Sequence, residues 1–369
     1  MLAGILSVGT VMADTVRVYV GTRGRGESKG IYLTELDTET GALAEPKLAA
    51  EVANPGFLVL SKDGKRLFST AKAPGKDGEK GYDAVAGFAV QEDGMLTLKN
   101  YQQAHGKGPC FVSLDATGKM LLLANYGCGS VVAYQALENG EIDRSHSQHQ
   151  HEGSSVNKQR QSGPHAHSIY TGPENKFAYA PDLGMDEVVI YELDVKSASM
   201  NSVGAVKMPP GSGPRHMKFG KDGKQAYVLA EMLLNVVVFD RKGHGLEQKE
   251  VVSNLPEGGD KSEMSCSEIL VSKDGKFIYV ANRDSTKKGR DSISVFAVGE
   301  GGLPKLIQTV GAEVHIPRNI NVSPDGKWLL VAGQKEGGVP TFAVGEDGKL
   351  KFSGKRIQVA NAMCIAFGE

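Results

Sequence analysis

The sequence predicts an all-β protein, a seven-bladed β-propeller whose ring is closed by the two ends of the chain. Two observations support this fold: a motif that recurs roughly every 50 residues, and partial units at the two ends that complete each other. The 369 residues include 47 glycines, a content typical of many short strands joined by tight turns.

The repeat is centred on a turn triplet that occupies the same place in six units. The triplets are Asp63-Gly64-Lys65, Thr117-Gly118-Lys119, Glu174-Asn175-Lys176, Asp222-Gly223-Lys224, Asp274-Gly275-Lys276 and Asp325-Gly326-Lys327. Each predicts a two-residue hairpin turn in which Gly, or Asn in one unit, adopts a positive φ. Apolar runs flank further turns, as in 277–280 and 293–296, which gives four antiparallel strands per unit. Such a unit is a propeller blade, which buries its faces only against neighbouring blades.

The seventh unit is divided between the two ends of the chain. Residues 17–20 and 31–36 match the second and third strands of the other units, and residues 362–367 match an innermost first strand. We therefore expect residues 362–367 to pair with the blade formed by residues 17–50. Because no Pro- or Ser-rich linker divides the chain, residues 14–369 are predicted to form a single domain, which we expect to be a monomer.

The first 13 residues differ from the rest of the chain. They are apolar and end in Val11-Met12-Ala13, which has small residues where a signal peptidase reads, just before Asp14. We interpret residues 1–13 as the remnant of a signal peptide and expect a periplasmic or secreted protein. The alternative is a tail on a cytoplasmic protein, because no Lys or Arg precedes the apolar run.

Composition excludes several other classes of protein. The net charge of −1 argues against nucleic-acid binding, and no apolar run is long enough for a membrane span. The four cysteines are far apart in the sequence, which favours buried packing over zinc binding. Residues 146–151 contain three histidines, but we interpret this polar stretch as an exposed blade loop rather than a metal site.

Two positions in each unit meet at one mouth of the predicted channel: the start of the first strand and the end of the second. The first position carries Gly56, Cys110, His167, Arg215, Ser267 and Arg318, and the second carries Arg23, Lys72, Tyr126, Leu183, Glu231, Arg283 and Gln334. Several arginines around a narrow channel create a positive potential that attracts an anion. The sequence therefore predicts a functional site at this mouth. The alternative is a set of solvated strand ends.

Register separates neighbouring histidines at this mouth. His167 aligns with Arg215 and Arg318, whereas His165 is displaced by two residues and is expected to support the site or to turn outward. His216 directly follows the rim position, so strand alternation predicts that it points away from Arg215 and has a structural role.

Four short segments resemble signatures of the lactonase family of seven-bladed propellers. They are 163–168, 213–216, 281–283 and 332–335, with the sequences GPHAHS, GPRH, ANR and AGQK. The family includes propeller-type 6-phosphogluconolactonases and carboxy-cis,cis-muconate cyclases, and the resemblance covers the chain after about residue 15. It implies that His167, Arg215, Glu231 and Arg283 are the catalytic residues. We expect Arg318, Gln334, Asn125 and His165 to bind substrate around them.

The resemblance implies an enzyme that hydrolyses a small-molecule sugar lactone. An activated water would attack the lactone, and arginines would stabilise the oxyanion or hold an anionic group of the substrate. Either Glu231 or His167 is the base, and the lactone is either phosphorylated or not. The alternatives are a non-enzymatic binding propeller and a muconate-type cycloisomerase. We expect no cofactor and no essential metal, because the site lacks the several Asp, Glu and Asn oxygens that calcium needs.

Overall fold

The computed structural model describes residues 14–24, 26–75, 79–287 and 289–368, so the predicted signal-peptide remnant lies outside the described residues. The described residues form seven antiparallel sheets of four strands each. In each sheet the innermost strand lines the channel, and the other three follow it outward. The predicted seven-bladed propeller is confirmed.

The blades follow one another along the chain, and each contributes four strands. The blade that joins the two ends contains β1 (Thr15–Thr22), β2 (Gly30–Asp37), β3 (Lys47–Glu51) and β28 (Ala362–Phe367). The next three blades contain β4 (Leu58–Leu60), β5 (Arg66–Ala73), β6 (Tyr82–Val90) and β7 (Leu96–Gln103); β8 (Pro109–Leu114), β9 (Met120–Asn125), β10 (Ser130–Ala136) and β11 (Ile142–Gln150); and β12 (Tyr170–Thr171), β13 (Phe177–Asp182), β14 (Glu187–Asp194) and β15 (Ser199–Lys207). The last three contain β16 (Pro214–Phe219), β17 (Gln225–Ala230), β18 (Asn235–Lys242) and β19 (Gly245–Ser253); β20 (Met264–Val271), β21 (Phe277–Asp284), β22 (Ser292–Val298) and β23 (Pro304–Gly311), with a short 3-10 turn at Glu300–Gly302; and β24 (His315–Val322), β25 (Trp328–Glu336), β26 (Val339–Val344) and β27 (Leu350–Ile357).

The ring closes as the sequence predicts, because β28 pairs antiparallel with β1. Val20 lies opposite Ile365, and Val18 lies opposite Phe367. Alternate residues of β1 then serve two different cores: Val18 and Val20 pack towards the last blade, and Tyr19 packs towards the second. Each blade thus buries both faces against its neighbours, which makes the pairing of β28 part of the core.

The repeated turns differ from the prediction in length. Gly64 and Asn175 have positive φ as expected. However, the Ser61 N–H donates to the Arg66 carbonyl at 2.8 Å, so the connection has four residues rather than two. The Gly64 N–H donates back to the Ser61 carbonyl at 2.9 Å, which makes an ordinary β-turn followed by one left-handed residue.

The predicted exposed loop over residues 146–151 is also wrong, since Ile142–Gln150 forms β11, the outermost strand of its blade. Its polar residues alternate between partly buried and exposed, as an outer strand with one covered face requires. Within the described ranges, no group of three or more His, Cys, Asp or Glu is arranged to hold a metal ion. No helix in those ranges is long and apolar enough to cross a membrane.

Candidate active site

A β-bulge in the inner strand sets the rim residue in most blades. Cys110, Ser267, Arg318 and Met363 each fall out of the pairing register, because the residues on either side of each pair with consecutive residues of the second strand. A bulged residue leaves the regular ladder and its side chain is re-aimed. Three of the rim positions chosen by sequence alignment, Cys110, Ser267 and Arg318, are therefore positions at which the strand is distorted.

In the fifth blade the bulge contains two residues, Arg215 and His216, which together lie opposite Leu229. Both side chains line the same cavity, and both are buried. The prediction that His216 points away from Arg215 was wrong, because strict alternation holds only in a regular strand.

The segment before Arg215 is fixed by the Asp186 carboxylate, which accepts hydrogen bonds from the backbone N–H groups of Gly211 and Gly213 at 2.6 and 2.7 Å. The hydroxyl of Ser212 donates to the same carboxylate at 3.1 Å. Gly213 has a φ of +60°, a conformation that an L-residue with a side chain adopts only with strain. The sequence Gly-Pro-Arg-His thus enters the bulge from a rigid turn.

The rim residues enclose a cavity of about 690 Å³ at the channel mouth. Among the residues that the structure describes, the charged ones that line it are Arg23, Arg160, Arg215, Arg283, Arg318, Glu231 and Asp83. Five arginines against two carboxylates leave the cavity strongly positive. Such a cavity is suited to an anionic ligand.

Glu231 lies among three of these arginines. One carboxylate oxygen is 3.0 Å from Arg160 and 3.2 Å from Arg283, and the other is 3.0 Å from Arg215. Burial alone would raise the pKa of Glu231, but the charges of Arg283, Arg215 and Arg160 outweigh it and hold the pKa well below its ordinary value. The carboxylate is therefore ionised at neutral pH.

His167 is buried beside Arg215, whose guanidinium contacts the imidazole Nε2. Its Nδ1 is 3.9 Å from the Cys110 sulfur. Burial, and then the charges of Arg215 and Arg318, lower the pKa of His167 well below its ordinary value. The imidazole is therefore neutral and accepts a hydrogen bond from Arg215. Burial also raises the pKa of the Cys110 thiol to about 12, so this sulfur is not a thiolate nucleophile at neutral pH.

Arg318 differs from the other arginines of the cavity. Among the residues that the structure describes, none forms a hydrogen bond or an ion pair with its guanidinium. Burial, and then the charges of Arg215 and Arg283, lower the pKa of Arg318 well below its ordinary value. A cation in these surroundings is stabilised when a negatively charged ligand binds beside it.

A second layer of side chains lies directly below the rim. The His216 Nδ1 is 2.8 Å from one oxygen of Glu268, and the Asn319 amide donates to the other at 2.6 Å. Burial lowers the pKa of His216 to about 4, although the charge of Glu268 opposes this effect. The rings of Phe57 and Phe111 lie 5.8 and 5.2 Å from the imidazole and complete the layer.

The structure brings together His167, Arg215, Glu231, Arg283 and Arg318, five of the eight predicted site residues. Asn125 is fully buried and donates to the Ala104 carbonyl at 2.8 Å and to the Ser130 hydroxyl at 3.1 Å, so it joins backbone segments instead of facing the cavity. Gln334 is not among the lining residues.

His165 also lies outside the cavity lining and supports it from behind. Its ring stacks on Tyr126 at 4.6 Å between centroids, and its Nδ1 is 2.7 Å from the Tyr126 carbonyl. Tyr126, in turn, lines the cavity. This position agrees with one of the two alternatives that the sequence register allowed for His165, namely that it supports the site. It does not agree with the expectation that His165 binds substrate directly.

Sequence reasoning missed one functional candidate, Arg160. It lies in the connection between β11 and β12, which has no counterpart of similar length in the other blades. An alignment of the repeat units compares only positions that every unit has, so it contains no position for an inserted segment. The sequence signal that could have indicated Arg160 is the length of this connection, which follows the third blade and leads into Gly163-Pro164-His165.

A family model described as lactonase, 7-bladed beta-propeller, matches residues 17–367. The chain belongs to this family. A 6-phosphogluconolactonase of Bacillus subtilis is 35% identical over 355 residues, which are 95% of this chain and 97% of that protein. A 6-phosphogluconolactonase of Formosa agariphila is 30% identical, with 87% of this chain and 90% of that protein covered.

A solved structure, that of a periplasmic gluconolactonase from Pseudomonas aeruginosa, matches with a TM-score of 0.88 at 27% identity. The match covers 96% of this chain and 99% of that one. Together with the family match, these relatives confirm the predicted family and the predicted class of enzyme, a lactonase.

Proposed function

We propose that the protein hydrolyses the ester bond of a sugar lactone that carries a negative charge, with 6-phosphogluconolactone as the first candidate. The observation that carries the hydrolysis is Arg318, a cation with which no described residue forms a hydrogen bond, at a point where Arg215 and Arg283 add positive charge. The excess of arginines over carboxylates in the cavity supports a negative charge on the substrate. The names of the relatives in Bacillus subtilis and Formosa agariphila support the phosphorylated sugar.

In this reaction a water molecule attacks the carbonyl carbon of the lactone, and the carbonyl oxygen becomes an oxyanion. We assign Arg318 to this oxyanion, with the charges of Arg215 and Arg283 adding to the field around it. The ring C–O bond then breaks, the former ring oxygen takes up a proton, and the product is an open-chain hydroxy acid. Charges that are in place before the reaction stabilise the oxyanion without the cost of reorganising solvent.

Of the two candidate bases, we favour Glu231, although the arginine charges oppose a proton on either group. A proton on His167 would create a further cation beside Arg215 and Arg318, both of which already oppose it. A proton on Glu231 would remove a negative charge at the moment when the substrate brings negative charge into the cavity. We therefore propose that Glu231 takes the proton of the attacking water, and that neutral His167 orients Arg215.

The test replaces Arg318 with Gln and measures hydrolysis of 6-phosphogluconolactone, corrected for the spontaneous rate. Because the Arg318 guanidinium has no structural partner in the described residues, we expect the melting temperature to stay the same or rise, while kcat/KM falls by about 10²- to 10³-fold. Lys72→Gln is the matched control, since Lys72 ends a second strand at the same rim without lining the cavity.

Two outcomes would contradict the proposal. A wild-type protein that hydrolyses neither 6-phosphogluconolactone nor gluconolactone would favour the alternative, a non-enzymatic ligand-binding propeller. Full activity in Arg318→Gln would remove Arg318 from the oxyanion site.

We further propose that the mature protein is exported and begins at or near Asp14. The apolar residues 1–13 support this, as does the periplasmic gluconolactonase of Pseudomonas aeruginosa among the structural neighbours. In that compartment an unphosphorylated sugar lactone becomes the competing substrate. The activity assay therefore uses phosphorylated and unphosphorylated lactones side by side.

A further inference from the structure

Arg160 reaches the cavity from outside the repeat. The connection that carries it, residues 151–169, is the longest of the connections between blades. Of the three described arginines that contact Glu231, Arg160 is thus the one that is not supplied by a blade strand, since Arg215 lies in β16 and Arg283 in β21.

This connection is anchored on both sides of Arg160. Gln161 is fully buried, and its side-chain amide donates to the Leu183 carbonyl at 2.9 Å. Ser155 donates to Asp186 at 2.6 Å, the same carboxylate that fixes the turn before Arg215. At the start of the connection, His151 is buried between Asp182 and Tyr191, 2.7 Å from each. The backbone around Arg160 is therefore held in place, while the side chain extends over the mouth.

The exposure of Arg160 distinguishes it from the other two arginines that pair with Glu231. The side chain of Arg160 is 43% exposed, against 2% for Arg215 and 11% for Arg283. Its guanidinium is 3.0 Å from the Glu231 carboxylate and 3.3 Å from the Tyr126 hydroxyl. An incoming anion therefore reaches Arg160 before it reaches Arg215 or Arg283, and Arg160 has more freedom than these two to turn towards it.

We propose that Arg160 is the residue that determines specificity for a phosphorylated lactone, by exchanging its ion pair with Glu231 for one with the phosphate group of the substrate. The proposal rests on the proposed lactonase function and adds a substrate-dependent step to it. Before binding, Arg160 neutralises Glu231. After binding, Arg160 holds the phosphate, and the carboxylate oxygen that it has left faces the attacking water.

Charge explains why Arg160 moves to the phosphate and why its departure activates Glu231. A phosphate dianion accepts two parallel hydrogen bonds from one guanidinium and carries more charge than a carboxylate, so it competes well for an exposed arginine. When one of three cations leaves Glu231, the carboxylate binds a proton more readily and becomes a better base. Arg215 and Arg283 remain and keep the carboxylate in position.

The test is Arg160→Gln, assayed with 6-phosphogluconolactone and with gluconolactone. With the phosphorylated lactone we expect kcat/KM to fall by at least about tenfold, because the phosphate loses its partner. With gluconolactone we expect kcat to stay the same or rise, because Glu231 is no longer neutralised by Arg160. Lys158→Gln, an exposed residue in the same connection, makes the same change of charge and should alter neither reaction.

Inorganic phosphate gives a second measurement. Added to the wild-type protein, it should accelerate the hydrolysis of gluconolactone by occupying Arg160, and it should have no such effect on Arg160→Gln. Equal losses on both lactones, or no loss on either, would overturn the role of Arg160 while leaving the lactonase function intact. A wild-type protein inactive on both lactones would instead overturn the lactonase function itself.

Discussion

The two ends of the propeller ring differ in how closely they follow the repeat. At one end, six blades carry the same turn, with a left-handed Gly or Asn at the same place. At the other end, most inner strands contain a bulge, and the bulged residue differs from blade to blade: Cys110, Arg215, Ser267, Arg318 and Met363. The repeated turns thus belong to the scaffold, whereas the bulged residues, which differ from blade to blade, form much of the site.

This division has a physical reason. A turn must reverse the chain in every blade, so the same φ is required each time and the same residues meet that requirement. A bulge releases its residue from the ladder, so the side chain there is free of pairing constraints and can differ in every blade. The mouth of the channel can therefore collect charges without weakening the sheets below.

The largest expected effect is on the scaffold. Deleting residues 361–369 removes β28, which opens the ring and exposes the inner edge of β1 together with the cores on both of its faces. We expect no cooperative thermal unfolding, as measured by circular dichroism. Adding the missing segment back as a synthetic peptide is the control and should restore a transition. A cooperative melt of the truncated chain on its own would show that closure is not required.

Arg283→Gln changes the channel mouth, where we expect a loss of activity without a loss of stability. The change removes one ion pair from Glu231 but also relieves repulsion between Arg283, Arg215 and Arg318, so we expect the melting temperature to be nearly unchanged. The loss of kcat/KM for lactone hydrolysis should be at least about tenfold, or about 1.4 kcal/mol.

The matched change at the opposite end is Gly326→Ala. Gly326 has a φ of +79° and no atom within contact of a Cβ placed there, so the substitution introduces backbone strain alone. We expect a loss of about 1–2 kcal/mol in the free energy of unfolding with unchanged kcat/KM. Full lactonase activity in Arg283→Gln, or a loss of activity in Gly326→Ala, would remove the distinction between the two ends.

At neutral pH, the smallest expected effect concerns the layer below the rim. The pKa of His216 is about 4 in the folded protein and near its ordinary value of about 6.5 in the unfolded chain. Between these values the unfolded chain binds a proton that the folded protein does not. His216 therefore lowers the free energy of unfolding as the pH falls from about 6.5 towards 4, and this effect is absent above pH 6.5.

Urea unfolding at several pH values measures this dependence. His216→Gln should reduce the slope of the free energy of unfolding against pH by up to about 1.4 kcal/mol per pH unit within that window. His167 contributes a further part of the wild-type slope with the same sign, because its pKa is also lowered. His105→Gln, at an exposed position, is the control. An unchanged slope in His216→Gln would mean that His216 is protonated alike in both states.

The sequence by itself determined the ring and most of the site. The turn triplets predicted six of the seven blades. Residues 362–367 predicted the seventh blade and the closure of the ring, because they match a first strand that no second strand follows, and residues 17–50 lack a first strand. The same alignment selected His167, Arg215, Glu231, Arg283 and Arg318, all of which line the cavity. Such positions are predictable because each repeat unit places equivalent residues at equivalent points in space.

Only the tertiary structure decided which neighbours of these positions reach the cavity. His216 enters it because a bulge breaks the alternation of β16, and Asn125 stays out because its amide is used between strands. Arg160 enters from a connection without a repeat counterpart and approaches Glu231 across 71 positions of sequence. A repeat specifies what is equivalent between blades, whereas bulges, buried amides and insertions depend on contacts between segments that are distant in the chain.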